Sequence, residues 1–196
     1  MKRPVLAFPL VMLAVTALAG CTLEPMHIGD THDDGPGGPL PSNADSIADA
    51  RPRSEPLNRG ANSPYSALGR NYIPYQSLTP YRQRGIATWY GRKFHGKLTS
   101  SGERYDMYAM TAAHTLLPIP SYARVTNLSN GRSVVVRVND RGPFHAERII
   151  DLSYAAAYKL GFVNAGSVQV EVEAILPRGS AAAREPPGLK SMAAVR

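Results

Sequence analysis

Two carboxylates and one histidine stand where this chain could carry out proton transfer. Asp140 ends the run Val134-Val135-Val136-Arg137-Val138-Asn139-Asp140, and Arg141-Gly142-Pro143-Phe144 follows it. β-Branched residues at this density specify a strand. Gly142-Pro143 cannot extend the ladder, because proline lacks the N–H donor and glycine favours a turn. Asp140 is therefore expected at a strand end, held by a rigid turn. Glu103 lies in the turn-like stretch Thr99-Ser100-Ser101-Gly102-Glu103, and His114 follows eleven residues later in Thr111-Ala112-Ala113-His114. A positioned carboxyl group can give and take a proton, and a second one nearby shifts its titration. The residue types alone leave structural roles open, since an aspartate before Gly-Pro often bonds its own turn.

The elements that must position these groups are mostly strands. Candidate strands cover residues 85–90, 109–113, 121–127, 133–139 and 167–175. In the last of these, Val168, Val170 and Val172 alternate with Gln169, Glu171 and Glu173. Asn130-Gly131 tolerates positive φ and makes 128–132 a hairpin-like connection. One helix is expected over 153–160, with Asp151 or Ser153 as N-cap and Gly161 just past its end; Asp151 is assigned to the cap. Short strands with a single helix indicate a closed barrel and a mainly β domain over 85–176. Neighbours on a strand face opposite ways, so Arg141 is expected to turn from Asp140 and to brace the turn or meet substrate oxygens. For the same reason at most one of Trp89 and Tyr90 can offer a ring to a ligand. Phe94 is a further candidate for stacking.

The ends read differently. Residues 1–20 have the form of a signal peptide: Lys2-Arg3, an apolar stretch, then Leu18-Ala19-Gly20 before Cys21. Leu-Ala-Gly-Cys resembles a bacterial lipobox, which makes Cys21 a lipidation site. Thr22, not aspartate, follows it, so the outer membrane is the expected destination. Cys21 is the only cysteine, which excludes an internal disulfide and a thiolate metal site. Residues 22–84 hold nine prolines and no sustained apolar period. They read as a tether, with a coil reach of roughly 45 Å. Its tyrosine-rich end, 72–84, is expected to lie against the barrel. The barrel is expected to fold without the rest, and 177–196 reads as a disordered tail. Removing Lys2 and Arg3 from the net charge of +7 leaves +5, spread along the chain. That suits anionic polymers or lipid headgroups, and export argues against nucleic acid. No phosphate loop, zinc spacing or internal repeat occurs, so no cofactor or metal is expected.

Trp89-Tyr90-Gly91, Phe94, Gly96, Thr99, Gly102-Glu103, Thr111-Ala112-Ala113-His114, Asn139-Asp140-Arg141-Gly142-Pro143-Phe144 and Arg148-Ile149-Ile150-Asp151-Leu152-Ser153 together resemble the rare lipoprotein A family. The resemblance implies a double-psi β-barrel of about six strands with one or two short helices. It also implies a lytic transglycosylase that cleaves the muramoyl–glucosaminyl bond of peptidoglycan and leaves 1,6-anhydro-muramoyl ends. In that frame Asp140 is the general acid/base, and Glu103 and His114 complete the site. Trp89, Tyr90, Asn139 and Arg141 are the expected substrate contacts. Peptidoglycan strands, the outer membrane and an unidentified division protein are the expected partners. Twenty residues follow Leu176, too few for the glycan-binding sporulation-related repeat that many members carry. Two other readings remain: a non-catalytic, expansin-like wall-binding module, and a glycoside hydrolase that uses both carboxylates.

Overall fold

A computed structural model describes residues 44–177. The first two strands, β1 (Tyr65–Ala67) and β2 (Arg70–Tyr72), form a small antiparallel hairpin. Six more make the domain: β3 (Arg82–Tyr90), β4 (Thr111–Ala113), β5 (Ser121–Asn127), β6 (Ser133–Asp140), β7 (Arg148–Ser153) and β8 (Ser167–Ile175). They close into a barrel in the order β3-β7-β4-β6-β5-β8. β3–β7 and β4–β6 are parallel and the other ladders antiparallel. This is a double-psi β-barrel.

The pattern of side chains explains the closure. Val134, Val136 and Val138 of β6 are buried, while Val135 and Arg137 between them are partly open. Ala87, Ala112 and Ala123 supply small inward residues, and Ile150, Leu152, Val125, Val170 and Val172 fill the space they leave. The helix α1 (Tyr154–Leu160) covers this core with Ala155, Ala156, Ala157 and Leu160. Its N-cap is Ser153, whose hydroxyl accepts from the Ala156 N–H, and its end is Gly161 at φ 77°. Asp151 is thus not the cap. It lies inside β7, a strand absent from the expected set because Ile149-Ile150-Asp151-Leu152 does not alternate cleanly. A one-residue bulge at the start of β7 is the reason.

Residues 44–81 depart most from expectation. Composition assigns most of them to a free tether, yet they run along the barrel as a strap. The Ala50 N–H donates to the Val135 carbonyl at 3.0 Å, and the Val135 N–H donates back to Asp49 Oδ2 at 2.9 Å. Asn62, 4% exposed, donates to the Ile119 carbonyl and accepts from the Ile119 N–H. The Tyr75 N–H donates to Leu116, and Tyr81 accepts from the Ala174 N–H. Polar side chains and backbone groups bond the strap to the barrel, and Ile47, Ala50 and Ala61 pack on its core at no regular spacing, so no hydrophobic period reveals it. Residues 1–43 and 178–196, with the signal, Cys21 and the tail, lie outside the described residues.

A chain that starts at Gly85 should melt well below one that starts at Ala44. The difference should be on the order of 10 °C, because one kcal/mol is worth about 4–8 °C in a domain of this size. Calorimetry of both chains checks this, and equal midpoints would show that the strap adds nothing.

Candidate functional site

Asp140 reaches its position through an irregularity. Ala112 of β4 pairs with Val138 of β6, but Ala113 pairs with Asp140, so one extra residue is accommodated in β6. Without it Asn139 would stand beside Ala113 and Asp140 would turn to the other face. Asp140 Oδ1 accepts from the Ser100 N–H at 2.8 Å, the Ser100 hydroxyl at 2.7 Å and the Arg141 N–H at 2.8 Å. Oδ2 has no hydrogen-bond partner among the described residues. The sequence points to Asp140 but not to Ser100, whose loop wraps this carboxylate.

Glu103 belongs to the same loop, and Ser101 N–H donates to the Asn139 carbonyl at 3.2 Å to fix it there. Its carboxylate is not free: Arg137 Nη1 donates to both oxygens at 2.8 Å, and Asn139 Nδ2 donates to Oε2 at 2.9 Å. Arg137 in turn forks onto Glu55 of the strap through Nε and Nη2, each at 2.9 Å. Tyr122 donates its hydroxyl to Glu55 as well. The hydrogen bonds from Arg137 are the main reason that the Glu55 carboxyl is pulled down to about 2, with Tyr122 and Arg53 adding to them against its burial. Arg137 is legible as the single cation among the β6 valines; nothing in the proline-rich segment singles out Glu55.

His114 lies inside the protein. It is 1% exposed, and its Nδ1 accepts from the Leu116 and Leu117 N–H groups at 3.0 and 2.9 Å. Those bonds place the proton on Nε2, which lies 3.0 Å from the Tyr81 hydroxyl. Burial first, and the Arg141 cation second, hold the imidazole down to about 3. Its ring braces the turn after β4 through those bonds.

Arg141, expected near substrate, is also internal. Its Nε donates to the Ala61 carbonyl, Nη1 to those of His114 and Leu117, and Nη2 to Asn62 Oδ1, at 2.6–2.9 Å. Burial pushes the guanidinium down to about 10. Tyr90 is 9% exposed and stacks on Tyr105 with centroids 4.0 Å apart. Trp89 donates Nε1–H to the Val163 carbonyl and leans on Tyr154. Both rings are packing residues, whereas Phe94 stays exposed beside Tyr90. Asn139 is 3% exposed and acts on Glu103. Among the described residues no cluster of His, Cys, Asp and Glu has metal-site geometry. A cleft of about 710 Å³ lies around the end of α1, between Asp45, Arg132, Tyr158, Lys159 and Asn164, and contains none of the candidate residues.

A double-psi barrel that presents a strand-end carboxylate on its outer face is the class to which this fold and site belong. The family described as lytic transglycolase matches residues 82–172. Endolytic peptidoglycan transglycosylase RlpA of Vibrio cholerae is 52% identical over 166 residues, which cover 85% of this chain and 62% of the relative. The protein of that name from Neisseria meningitidis is 58% identical over 138 residues, 70% of this chain and 58% of its own. The chain thus spans about three fifths of the length of these curated relatives. Among solved structures, an expansin of Clavibacter michiganensis aligns over 55% of this chain and 53% of its own at 21% identity and a TM-score of 0.39. Over its barrel the chain is thus similar to the rare lipoprotein A proteins.

The role of His114 has a pH signature. The unfolded imidazole takes up a proton near 6.5 and the folded one only near 3, so the unfolded state binds more protons in between. Stability is complete above pH 6.5 and falls as the pH drops through that window. His114→Asn should melt lower at pH 7 and lose the decline between pH 6.5 and 4.5. A wild-type melting temperature that is flat over this range would contradict the assignment.

Proposed function

We propose that this chain is an endolytic lytic transglycosylase of peptidoglycan, with Asp140 as the acid/base at the muramoyl–glucosaminyl bond. The observation that supports this most is the Asp140 carboxylate itself. One oxygen is fixed by three donors, and the other has no hydrogen-bond partner among the described residues. The reaction suits such a site. Protonation of the glycosidic oxygen breaks its bond to muramoyl C1, and the C6 hydroxyl of the same sugar closes on C1 and gives up its proton. No water and no covalent enzyme intermediate take part. An intramolecular nucleophile brings a large effective molarity, so the protein must mainly hold the sugar and move protons. Glu103, clamped by Arg137, shapes the loop that carries Ser100.

Asp140→Asn keeps the shape and removes the titrating group. Release of anhydro-muramoyl ends should fall roughly 100-fold or more, the scale of general acid catalysis. Mass spectrometry of digested peptidoglycan reads the result. Reducing ends from the wild type would make it a hydrolase, and no product from several glycans would make it a wall-binding module.

The relatives' names also support a place in the cell envelope. Cys21 is the proposed anchor to the periplasmic face of the outer membrane, since several acyl chains hold a protein durably where one does not. Radiolabelled palmitate should enter the wild type and not Cys21→Ala; equal labelling would overturn the anchor. A division protein that recruits the chain remains part of this reading.

A further inference from the structure

The barrel has two parallel ladders, and each carries the same irregularity. In β4–β6 the pairing steps from Ala112↔Val138 to Ala113↔Asp140. In β3–β7 it steps from Ile86↔Arg148 to Ala87↔Ile150, and Thr88 then pairs with Asp151. Each extra residue resets the alternation of its strand, and each strand presents an aspartate just beyond. Ala113 of β4 pairs with Asp140 on one side and with Asp151 on the other. Residues paired across neighbouring strands share a face, so both aspartates stand on the same outer face, flanking one methyl group. Their Cα atoms are two strand spacings apart, roughly 9–10 Å.

The two carboxyl groups live in different surroundings. Asp140 accepts three hydrogen bonds on Oδ1. Asp151 accepts from the Thr88 hydroxyl on Oδ1, with Arg148 Nη1 3.5 Å from the same oxygen. Its Oδ2 has no partner among the described residues, and its side chain keeps 17% of its surface open. The groups that act on it are Thr88 from β3, Arg148 from β7, His145 from the turn before β7 and Asp140 from β6. Tyr90 and Tyr105 lie near both aspartates. Burial pushes the Asp151 carboxyl above the ordinary aspartate range; Asp140 adds to the rise, and Arg148, Thr88 and His145 oppose it. A pair of acids in unlike environments divides acid from base work.

We propose that Asp151 is the second carboxyl group of this site and supplies the proton to the glycosidic oxygen, while Asp140 receives the proton of the C6 hydroxyl. This rests on the lytic transglycosylase reading and refines its Asp140 step. The balance is complete: the O–H bond of Asp151 breaks, the glycosidic oxygen gains that proton as it leaves C1, and the C6 oxygen bonds to C1. Its proton then goes to Asp140. Exchange with solvent resets the pair.

Kinetics of anhydro-product release across pH test the assignment. Asp151→Asn, with melting near that of the wild type, should lose activity by roughly 100-fold or more. Thr88→Val and Arg148→Gln each remove a group that favours the ionised form of Asp151. Both should move the alkaline limb of kcat/KM to higher pH, which a merely structural role would not do. A folded Asp151→Asn within a few-fold of the wild type overturns the proposal. So does an alkaline limb unmoved in both other variants, and that outcome decides the matter if Asp151→Asn fails to fold. A wild type that releases no anhydro ends removes the reaction itself, and the role of Asp151 with it. Active wild type beside active Asp151→Asn defeats only this proposal.

Discussion

One half-buried guanidinium holds the site region together. Arg141 follows Asp140 and donates to four acceptors: the carbonyls of Ala61, His114 and Leu117 and the side chain of Asn62. Those acceptors come from the strap and from the turn after β4, so a single cation joins both to the end of β6. A cation partly withdrawn from water is costly unless its donors are satisfied. The carbonyls in the turn therefore need fixed positions, and His114 fixes them by accepting two N–H bonds from the same turn. Histidine and arginine serve one clamp, and Asp140 stands on its outer side.

The strap has a second point of attachment through charge. Glu55 grips Arg137, and Arg137 grips Glu103 on the loop that also offers Ser100 to Asp140. The chain of contacts runs from a proline-rich segment, across an outward β6 residue, to the loop at the candidate carboxylate. Removing either glutamate leaves Arg137 half-paired, and a partly buried cation left so destabilises its surroundings. Glu103 is thus a positioning residue in this structure, although its side chain is more open than that of Glu55.

Much of the barrel is legible in the residues. Strands β5 and β8 end where the alternation of apolar and polar residues ends, and the Gly-Pro turn places Asp140 at a strand end. β7 escapes because its bulge puts Ile149 and Ile150 in sequence, where a strict period of two fails. The strap escapes because hydrogen bonds and a few apolar contacts without a period, from Ile47, Ala50 and Ala61, lay it on the barrel. In the site, the residue types draw the eye to His114 and Arg141, but their environment decides their work. Both nitrogens of His114 are engaged inside the protein, and this depends on Tyr81, far off in sequence, and on the backbone N–H groups of Leu116 and Leu117. Asp151 shows the reverse case. Its place before a helix suggests a cap, and only the register across β4 sets it beside Asp140.

The central claim is that a glycan is held and cut beside the end of β4, where the ends of β6 and β7 present their aspartates. A crystal structure of Asp140→Asn with an uncut peptidoglycan tetrasaccharide tests it most directly. The muramoyl C6 hydroxyl or the scissile oxygen should lie within hydrogen-bond reach of the residue 140 side chain. A glycan bound in the cleft at the end of α1, or along the barrel with no sugar atom near residue 140, would contradict it.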